Sequence, residues 1–229
     1  MGYDIFLVDV DDTILDFHGA AIAAVQSAFE QASLRWEDGY AEAYTHFNAS
    51  LWAALERKEI SREQLHATRF SQFLQLLGIE GVDGDFINEK YEAYICAHPQ
   101  YFAGAEAFLS ALNARGRVYF LTNGTKRIQR ARFDAADLWK YASATFISGE
   151  AGADKPAKQY TDYVLERIPD FERERALWIG DSLTADIRAA LEAGIACVWF
   201  NPQGKVGRSD CIPTYEAKDY QKILQIVGI

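Results

Sequence analysis

Near the start of the chain, the apolar run Ile5-Phe6-Leu7-Val8 leads directly into the acidic cluster Asp9-Val10-Asp11-Asp12-Thr13. A short, continuous apolar run of this kind is typical of a parallel β-strand that is covered on both faces. In parallel α/β sheets, ligands bind beyond the carboxyl ends of the strands. The acids therefore stand where such a sheet would place its functional groups.

Four further apolar runs follow the pattern of the first one. They span residues 118–121, 144–147, 176–179 and 196–200. Between them the apolar residues have helical spacing, and a last amphipathic stretch covers residues 220–227. Strands that alternate with helices predict an α/β fold with a doubly wound, Rossmann-like parallel sheet.

The segment between the first two runs is different, because residues 16–99 show only helical periodicity. Ser61 and Gln64 have the spacing of a capping box, which marks the start of one of its helices. This is more helix than a single connection between two strands requires. We therefore predict an α/β core formed by residues 1–15 and 100–229, with an inserted α-helical domain at 16–99.

Composition limits the classes of function. The 229 residues are 49% hydrophobic, which is enough for a sizeable core, and the net charge of −10 disfavours nucleic acid as a partner. No apolar run reaches the length that crosses a membrane, and the start lacks the pattern of a signal peptide. Three scattered cysteines match no metal site. We expect reduced thiols and a cytoplasmic location.

Polar residues follow the other strands at the same predicted edge. Thr122-Asn123-Gly124 follows the second run, Lys155 lies in the loop after the third, and Gly180-Asp181-Ser182 follows the fourth, with Asp186 beyond it. Each has an ordinary interpretation as a turn, cap or loop residue. Their occurrence together, each just after a buried strand, favours one common site.

The acids predict the chemistry. Asp9, Asp11 and Asp181 would repel one another if they lay close together, and Mg²⁺, which prefers oxygen ligands, would remove that repulsion. A carboxylate can attack phosphorus and form an aspartyl-phosphate, and a second carboxylate can protonate the leaving oxygen. Thr122 and Lys155 can bind the phosphate, together with the amides around Asn123-Gly124. We expect a Mg²⁺-dependent phosphohydrolase.

These motifs resemble those of the haloacid dehalogenase superfamily, in the order Asp9-x-Asp11-x-Thr13, Thr122, Lys155, and Gly180-Asp181-Ser182 followed by Asp186. The resemblance implies that Asp9 is the nucleophile and Asp11 the general acid and base. It also implies that Mg²⁺ is held by Asp9, the main-chain carbonyl of Asp11 and Asp181, with Asp186 as a supporting acid. Thr122 and Lys155 would hold the phosphate.

Residues 16–99 resemble the helical caps that this family inserts after its first motif. Three parts of the segment, 47–52, 60–61 and 69–70, are similar to the cap of bacterial 5′-nucleotidases that act on pyrimidine and non-standard nucleotides. Residues 57–59 depart from that pattern. The resemblance implies that the partner is a small phosphorylated metabolite, namely a nucleotide. Arg69 itself is expected to be a surface cation.

A cap that covers a nucleotide needs aromatic faces for stacking and polar groups that read the edges of the base. Phe17 and Trp52 are candidates for stacking, and His18 and Asn48 are candidates for polar contacts. Phe47 shares a stripe with Leu51 and is expected in the core of the cap.

Other functions stay open at this point. A phosphatase for phosphosugars or phosphoglycolate would keep the same core residues, and so would a phosphosugar mutase. A dehalogenase is disfavoured because Asp11 would then have no role. A binding module without activity is the alternative from a different class, since a fold does not fix a function. The sequence leaves the oligomeric state open.

Overall fold

The structure is a computed structural model that describes residues 2–229. It separates the chain into two compact units. One unit, here called the core unit, comprises Met1–Asp16 and Gln100–Ile229, and the other, the helical unit, comprises Phe17–Pro99.

The core unit is built on one six-stranded sheet in which every neighbouring pair is parallel. Its strands are β1 (Ile5–Asp9), β2 (Arg117–Thr122), β3 (Ala144–Ile147), β4 (Ala176–Gly180), β5 (Ala196–Phe200) and β6 (Tyr215–Ala217). The strand order is β3-β2-β1-β4-β5-β6. The predicted α/β fold is confirmed, and each of the five apolar runs forms a strand.

The short strand β6 was not predicted. It lies at the edge of the sheet, and Tyr215 and Glu216 are exposed while Ala217 is buried. An edge strand of three residues has no continuous apolar run, so the pattern that identifies the other strands is missing.

Helices complete both units. Those of the helical unit are α1 (Phe17–Gln31), α2 (Tyr40–Glu56), α3 (Arg62–Leu76) and α4 (Gly84–Ala97). Those of the core unit are α5 (Ala105–Arg115), α6 (Lys126–Ala135), α7 (Ser148–Ala151), α8 (Lys158–Leu165), α9 (Arg188–Glu192) and α10 (Tyr220–Val227). Short 3₁₀ turns at Leu138–Tyr141 and Arg173–Arg175 and a π turn at Leu183–Ile187 join them to the strands.

The sheet is buried on both faces because successive residues of a strand point to opposite sides. Phe6 and Val8 of β1 belong to the apolar cluster that contains α5 and α10. Ile5 and Leu7 belong to the cluster on the other side, which contains residues of α8 and α9. Continuous apolar strands are the sequence signature of this arrangement.

Strand β1 lies in the middle of the sheet, with β2 on one side and β4 on the other. Asp9 is in register with Leu121, and Val8 is in register with Ile179. The carboxyl ends of β1, β2 and β4 are therefore level, and the residues that follow them share one edge of the sheet.

The helical unit has an aromatic core. Tyr44 stacks on Phe70 with ring centroids 5.9 Å apart, and Phe73 packs edge-on against Tyr44 at 5.2 Å. Phe47 is half-buried and lies 5.4 Å from Phe73, as expected of a core residue. The unit thus has its own buried apolar centre.

Two expectations about helix α3 have different outcomes. The capping box is confirmed, because Ser61 Oγ accepts from Gln64 N while Gln64 Oε1 accepts from Ser61 N. The expected surface position of Arg69 is wrong. Its side chain is 2% exposed, and its guanidinium lies 4.3 Å from the centroid of the Tyr91 ring and donates to Asn88 Oδ1. Stacking on aromatic rings makes this burial possible.

None of the helices in residues 2–229 combines the length and the apolar character that a membrane-spanning helix requires.

Candidate active site

Asp9, the last residue of β1, is buried, and protein groups contact both of its carboxylate oxygens. Lys155 Nζ donates to Asp9 Oδ1 at 2.5 Å, and Thr13 Oγ1 donates to Asp9 Oδ2 at 2.9 Å. Thr13 reaches the carboxylate because the chain turns back after β1, where the amide of Ile14 donates to the carbonyl of Val10. The two contacts fix the orientation of the Asp9 carboxylate.

Lys155 is the cation of the site, and its side chain is 2% exposed. Besides Asp9, its Nζ donates to Asp186 Oδ1 at 2.7 Å and to the carbonyl of Leu121 at 3.0 Å. Burial by itself would lower the pKa of Lys155, but the charges of Asp186 and Asp9 outweigh it and raise that pKa above its usual value. Lys155 is therefore an ammonium ion under all ordinary conditions.

Asp9, Asp181 and Asp186 form an acidic cluster in which one carboxylate oxygen from each lies within 4.8 Å of the others. Burial raises the pKa of Asp9, and the charge of Asp186 raises it further. Burial, followed by the charge of Asp186, raises the pKa of Asp181 to about 7. The buried ammonium of Lys155 and the exposed one of Lys205 do not balance the three carboxylates, and a hard dication with oxygen ligands would neutralise the remaining negative charge. The residues present fit Mg²⁺.

Asp186 has a different environment from the other two acids. Its Oδ1 accepts from Lys155, and its Oδ2 accepts from the amide of Ser182 at 3.2 Å. A Cβ atom on Gly180 would lie 2.3 Å from Asp186 Cγ, so the absence of a side chain there makes room for this carboxylate. Asp186 thus links the strand end at β4 to Lys155.

The segment that carries Asp181 is held by β5. Trp199 Nε1 donates to the carbonyl of Asp181 at 2.8 Å. Lys205 Nζ, in the loop after β5, lies 3.8 Å from Asp181 Oδ2. Neither residue was predicted as a site residue, although Trp199 lies in a predicted strand and Lys205 in the loop that follows it.

Asp11 points toward helix α6. Arg132 Nη1 lies 2.5 Å from its Oδ1, and Gln129 Nε2 donates to its Oδ2 at 2.9 Å. Thr122 Oγ1 donates to the same Oδ2 at 3.4 Å. The carboxylate of Asp11 is thus outside the acidic cluster formed by Asp9, Asp181 and Asp186. Sequence reasoning missed Gln129 and Arg132.

The predicted phosphate-binding residues lie at this edge of the sheet, and Asn123 and Gly124 have their partners in the neighbouring loops. The side chain of Asn123 accepts from the amide of Lys155 at 2.9 Å and donates to its carbonyl at 3.0 Å. The amide of Gly124 donates to Ser148 Oγ at 3.0 Å. The Asn123 side chain therefore shapes the Lys155 loop, and the Gly124 amide is not directed at a ligand. Thr122 and Lys155 are the side chains that face the predicted site.

The candidates for base recognition belong to the helical unit. Phe17 and His18 begin α1, and Asn48 and Trp52 lie in α2. Asn48 Oδ1 is buried without a hydrogen-bond partner among the described residues. The guanidinium of Arg62 lies 5.8 Å from the centroid of the Trp52 ring. A buried carbonyl oxygen that lacks a donor is a group that a ligand N–H could satisfy.

Comparison with known proteins places the chain among enzymes. The model of the family described as haloacid dehalogenase-like hydrolase matches residues 3–194. The HAD-hydrolase YfnB of Bacillus subtilis is 37% identical over 99% of this chain and 96% of its own length. The pyrimidine 5′-nucleotidase PynA of Streptococcus pneumoniae is 35% identical over 98% and 94% of the two chains.

Two further comparisons extend this result. The pyrimidine 5′-nucleotidase YjjG of Escherichia coli is 28% identical over 99% of both chains. The crystal structure of YfnB bound to magnesium superposes on this structure with a TM-score of 0.94 and 36% identity, and covers 100% of each chain.

Proposed function

Because the chain belongs to the haloacid dehalogenase-like hydrolase family, we propose that it hydrolyses the 5′-phosphate of pyrimidine nucleotides through an aspartyl-phosphate on Asp9. The observation that carries this proposal is the geometry around Asp9. A buried carboxylate is held between an ammonium and a hydroxyl, beside two further acids. A second carboxylate, Asp11, comes from the same turn.

In the first step a carboxylate oxygen of Asp9 attacks phosphorus, and the bond from phosphorus to the leaving oxygen breaks. The proton of the Asp11 carboxyl passes to that oxygen, so that an alcohol leaves instead of an alkoxide. Lys155 and Thr122 offset the charge on the phosphate oxygens that do not react. Lys155 also keeps Asp9 in the orientation for attack.

In the second step water attacks the phosphorus of the aspartyl-phosphate. Its proton passes to the Asp11 carboxylate, the bond from phosphorus to Asp9 breaks, and inorganic phosphate leaves. Asp9 is then a carboxylate again and Asp11 a carboxyl, which is the state that the next cycle requires.

Mg²⁺ would be held by the carboxylates of Asp9 and Asp181 and by the main-chain carbonyl of Asp11. Asp186 would support this site through its contacts with Lys155 and with the amide of Ser182. The ion, when bound, supplies positive charge that neutralises the phosphate and the surrounding carboxylates. The acidic cluster supports this assignment, and YfnB, whose crystal structure is bound to magnesium, is a relative over its full length.

Two relatives that match along the whole chain support the substrate. PynA and YjjG are both pyrimidine 5′-nucleotidases. We assign the helical unit as the cap and its residues Phe17, His18, Asn48 and Trp52 as the groups that contact the nucleoside. The unpartnered Oδ1 of Asn48 suits an N–H on the edge of a base. A cytoplasmic location agrees with the free cysteines.

Phosphate release tests the proposal directly. The panel holds pyrimidine and purine nucleoside 5′-monophosphates, sugar phosphates, phosphoglycolate and N-acylneuraminate 9-phosphate, with Mg²⁺ and with excess chelator. Asp9→Asn is the inactive variant. Asp162→Asn, on the exposed surface of α8, is the matched control for the same substitution.

Each outcome has a distinct meaning. Chelator-sensitive release that is strongest on pyrimidine nucleotides, absent in Asp9→Asn and unchanged in Asp162→Asn supports the whole proposal. The same pattern with a sugar phosphate as the best substrate supports the proposed mechanism but refutes a pyrimidine nucleotide as the substrate. Phosphate release that persists in Asp9→Asn refutes the assignment of Asp9 as the nucleophile.

A further inference from the structure

Asp11 is held by a pair of buried residues on one helix face. Gln129 and Arg132 are three positions apart on α6, so their side chains leave the same face of the helix. They are 4% and 1% exposed. Each contacts a different carboxylate oxygen of Asp11, Arg132 at 2.5 Å and Gln129 at 2.9 Å.

The two residues also support each other. Arg132 Nη1 donates to Gln129 Oε1 at 3.2 Å, which orients the amide so that its Nε2 faces Asp11. A Cβ atom on Gly124 would lie 2.6 Å from Gln129 Nε2, so the glycine of the second motif gives the amide its space. A buried guanidinium is costly unless acceptors surround it, and Asp11 Oδ1 and Gln129 Oε1 are its acceptors here.

We propose that Gln129 and Arg132 are positioning residues that hold the Asp11 carboxylate where it exchanges a proton with the leaving group and with water. This inference rests on the proposed function, since it assigns to these residues the placement of its acid and base. Neither residue has to touch the substrate. Their contribution is the orientation of the Asp11 side chain, which immediately precedes the turn at Asp12, where φ is 59°.

A positioning role has a consequence that a structural role lacks. Protonation matters for an alkoxide leaving group and matters little for an aryl oxide, which leaves readily without a proton. The kcat/KM of the reaction reports on steps up to departure of the leaving group. A displaced Asp11 should therefore lower kcat/KM for an alkyl phosphate much more than for an aryl phosphate.

The experiment compares two substrates across a set of variants. The substrates are p-nitrophenyl phosphate and the alkyl phosphate that the wild type hydrolyses fastest. Arg132→Lys and Gln129→Met test the pair, and Asp11→Asn provides the profile of an enzyme without its acid. Arg175→Lys is the matched control. Arg175 pairs with Asp4 at the amino ends of β1 and β4, whereas the candidate site lies at their carboxyl ends.

We expect Arg132→Lys and Gln129→Met to lose about 100-fold in kcat/KM for the alkyl phosphate and less than about tenfold for the aryl phosphate. Asp11→Asn should show the same selectivity, and Arg175→Lys should change neither rate. Thermal unfolding of each variant in Mg²⁺ verifies that it is folded.

Two results would overturn the inference. If the wild type is active and the two variants lose kcat/KM equally on the alkyl and the aryl phosphate, Gln129 and Arg132 merely stabilise the fold. That result would leave the proposed function unaffected. A folded wild type that hydrolyses neither substrate in Mg²⁺ would refute the proposed function and this inference with it.

Discussion

Gly180→Ala should damage the site without a change in any charged residue. The new Cβ would lie 2.3 Å from Asp186 Cγ and 2.5 Å from its Oδ2. Carbon atoms in contact are about 3.5 Å apart, so the Asp186 side chain has to move by about 1 Å. The backbone of Gly180 lies outside the left-handed region, so alanine adds no backbone strain of its own.

The displacement acts on Lys155. Its hydrogen bond to Asp186 Oδ1, now 2.7 Å long, would exceed the length of a hydrogen bond. Loss of a buried, charge-assisted bond and overpacking together lower the free energy of unfolding by about 2–5 kcal/mol. Lys155 also orients Asp9, and a misplacement of about 1 Å costs about 100-fold in rate. We expect both effects in Gly180→Ala.

Chemical denaturation and the kcat of phosphate release measure the two effects. Gly207→Ala is the control, because its Cβ would meet Trp199 Cζ3 at an ordinary 3.7 Å, also without a left-handed backbone. If Gly180→Ala retained the stability and kcat of Gly207→Ala, the site would tolerate a displaced Asp186 and the reasoning above would be refuted.

Three other perturbations give distinct results. Burial raises the pKa of Asp181 to about 7, so the metal-free protein loses stability as the pH rises from about 4 through about 7, and Mg²⁺ displaces a proton when it binds. The gain in melting temperature from a fixed Mg²⁺ concentration should be larger near about pH 8 than near about pH 5.5, and an equal gain would contradict this. Lys155→Met leaves Asp186 without its cation and should lower the free energy of unfolding by about 3–5 kcal/mol. This loss should be smaller in Mg²⁺. A loss of the same size with and without Mg²⁺ would argue against a cation at the acidic cluster. Tyr220→Phe removes the 2.7 Å hydrogen bond to the carbonyl of Thr13 and should cost about 1–3 kcal/mol in urea unfolding, whereas an unchanged midpoint would show that water replaces the hydroxyl.

The sheet could be predicted because its strands are buried on both faces and read as continuous apolar runs. That signal depends on burial, and it fails at β6, where only Ala217 is buried. The convergence of Asp9, Lys155 and Asp181 could also be anticipated, since each follows a strand at the same edge.

The residues that hold Asp11 could not be found in this way. Helix α6 carries arginines at positions 127, 130 and 132 and a lysine at 126, which are equivalent by composition. Only the orientation of the helix on the sheet buries Arg132 against Asp11 and leaves Arg130 paired with Glu150 at the surface. Arg69 was misjudged for the same reason, because its aromatic partner Tyr91 lies on another helix.

The central position of β1 in the sheet affects how the nascent chain folds during synthesis. Among the strands of the sheet, the one that ends at Asp9 is synthesised before the others, and its partners begin only at Arg117 and Ala176. At roughly 5–20 residues per second, a ribosome needs roughly 5–20 seconds to complete the stretch from Asp9 to the start of β2. During that interval both edges of the apolar β1 segment remain unpaired, whereas the helices of residues 17–99 can already pack through local contacts. Asp9 is thus synthesised well before Lys155, which contacts it, and Asp186, which contacts Lys155.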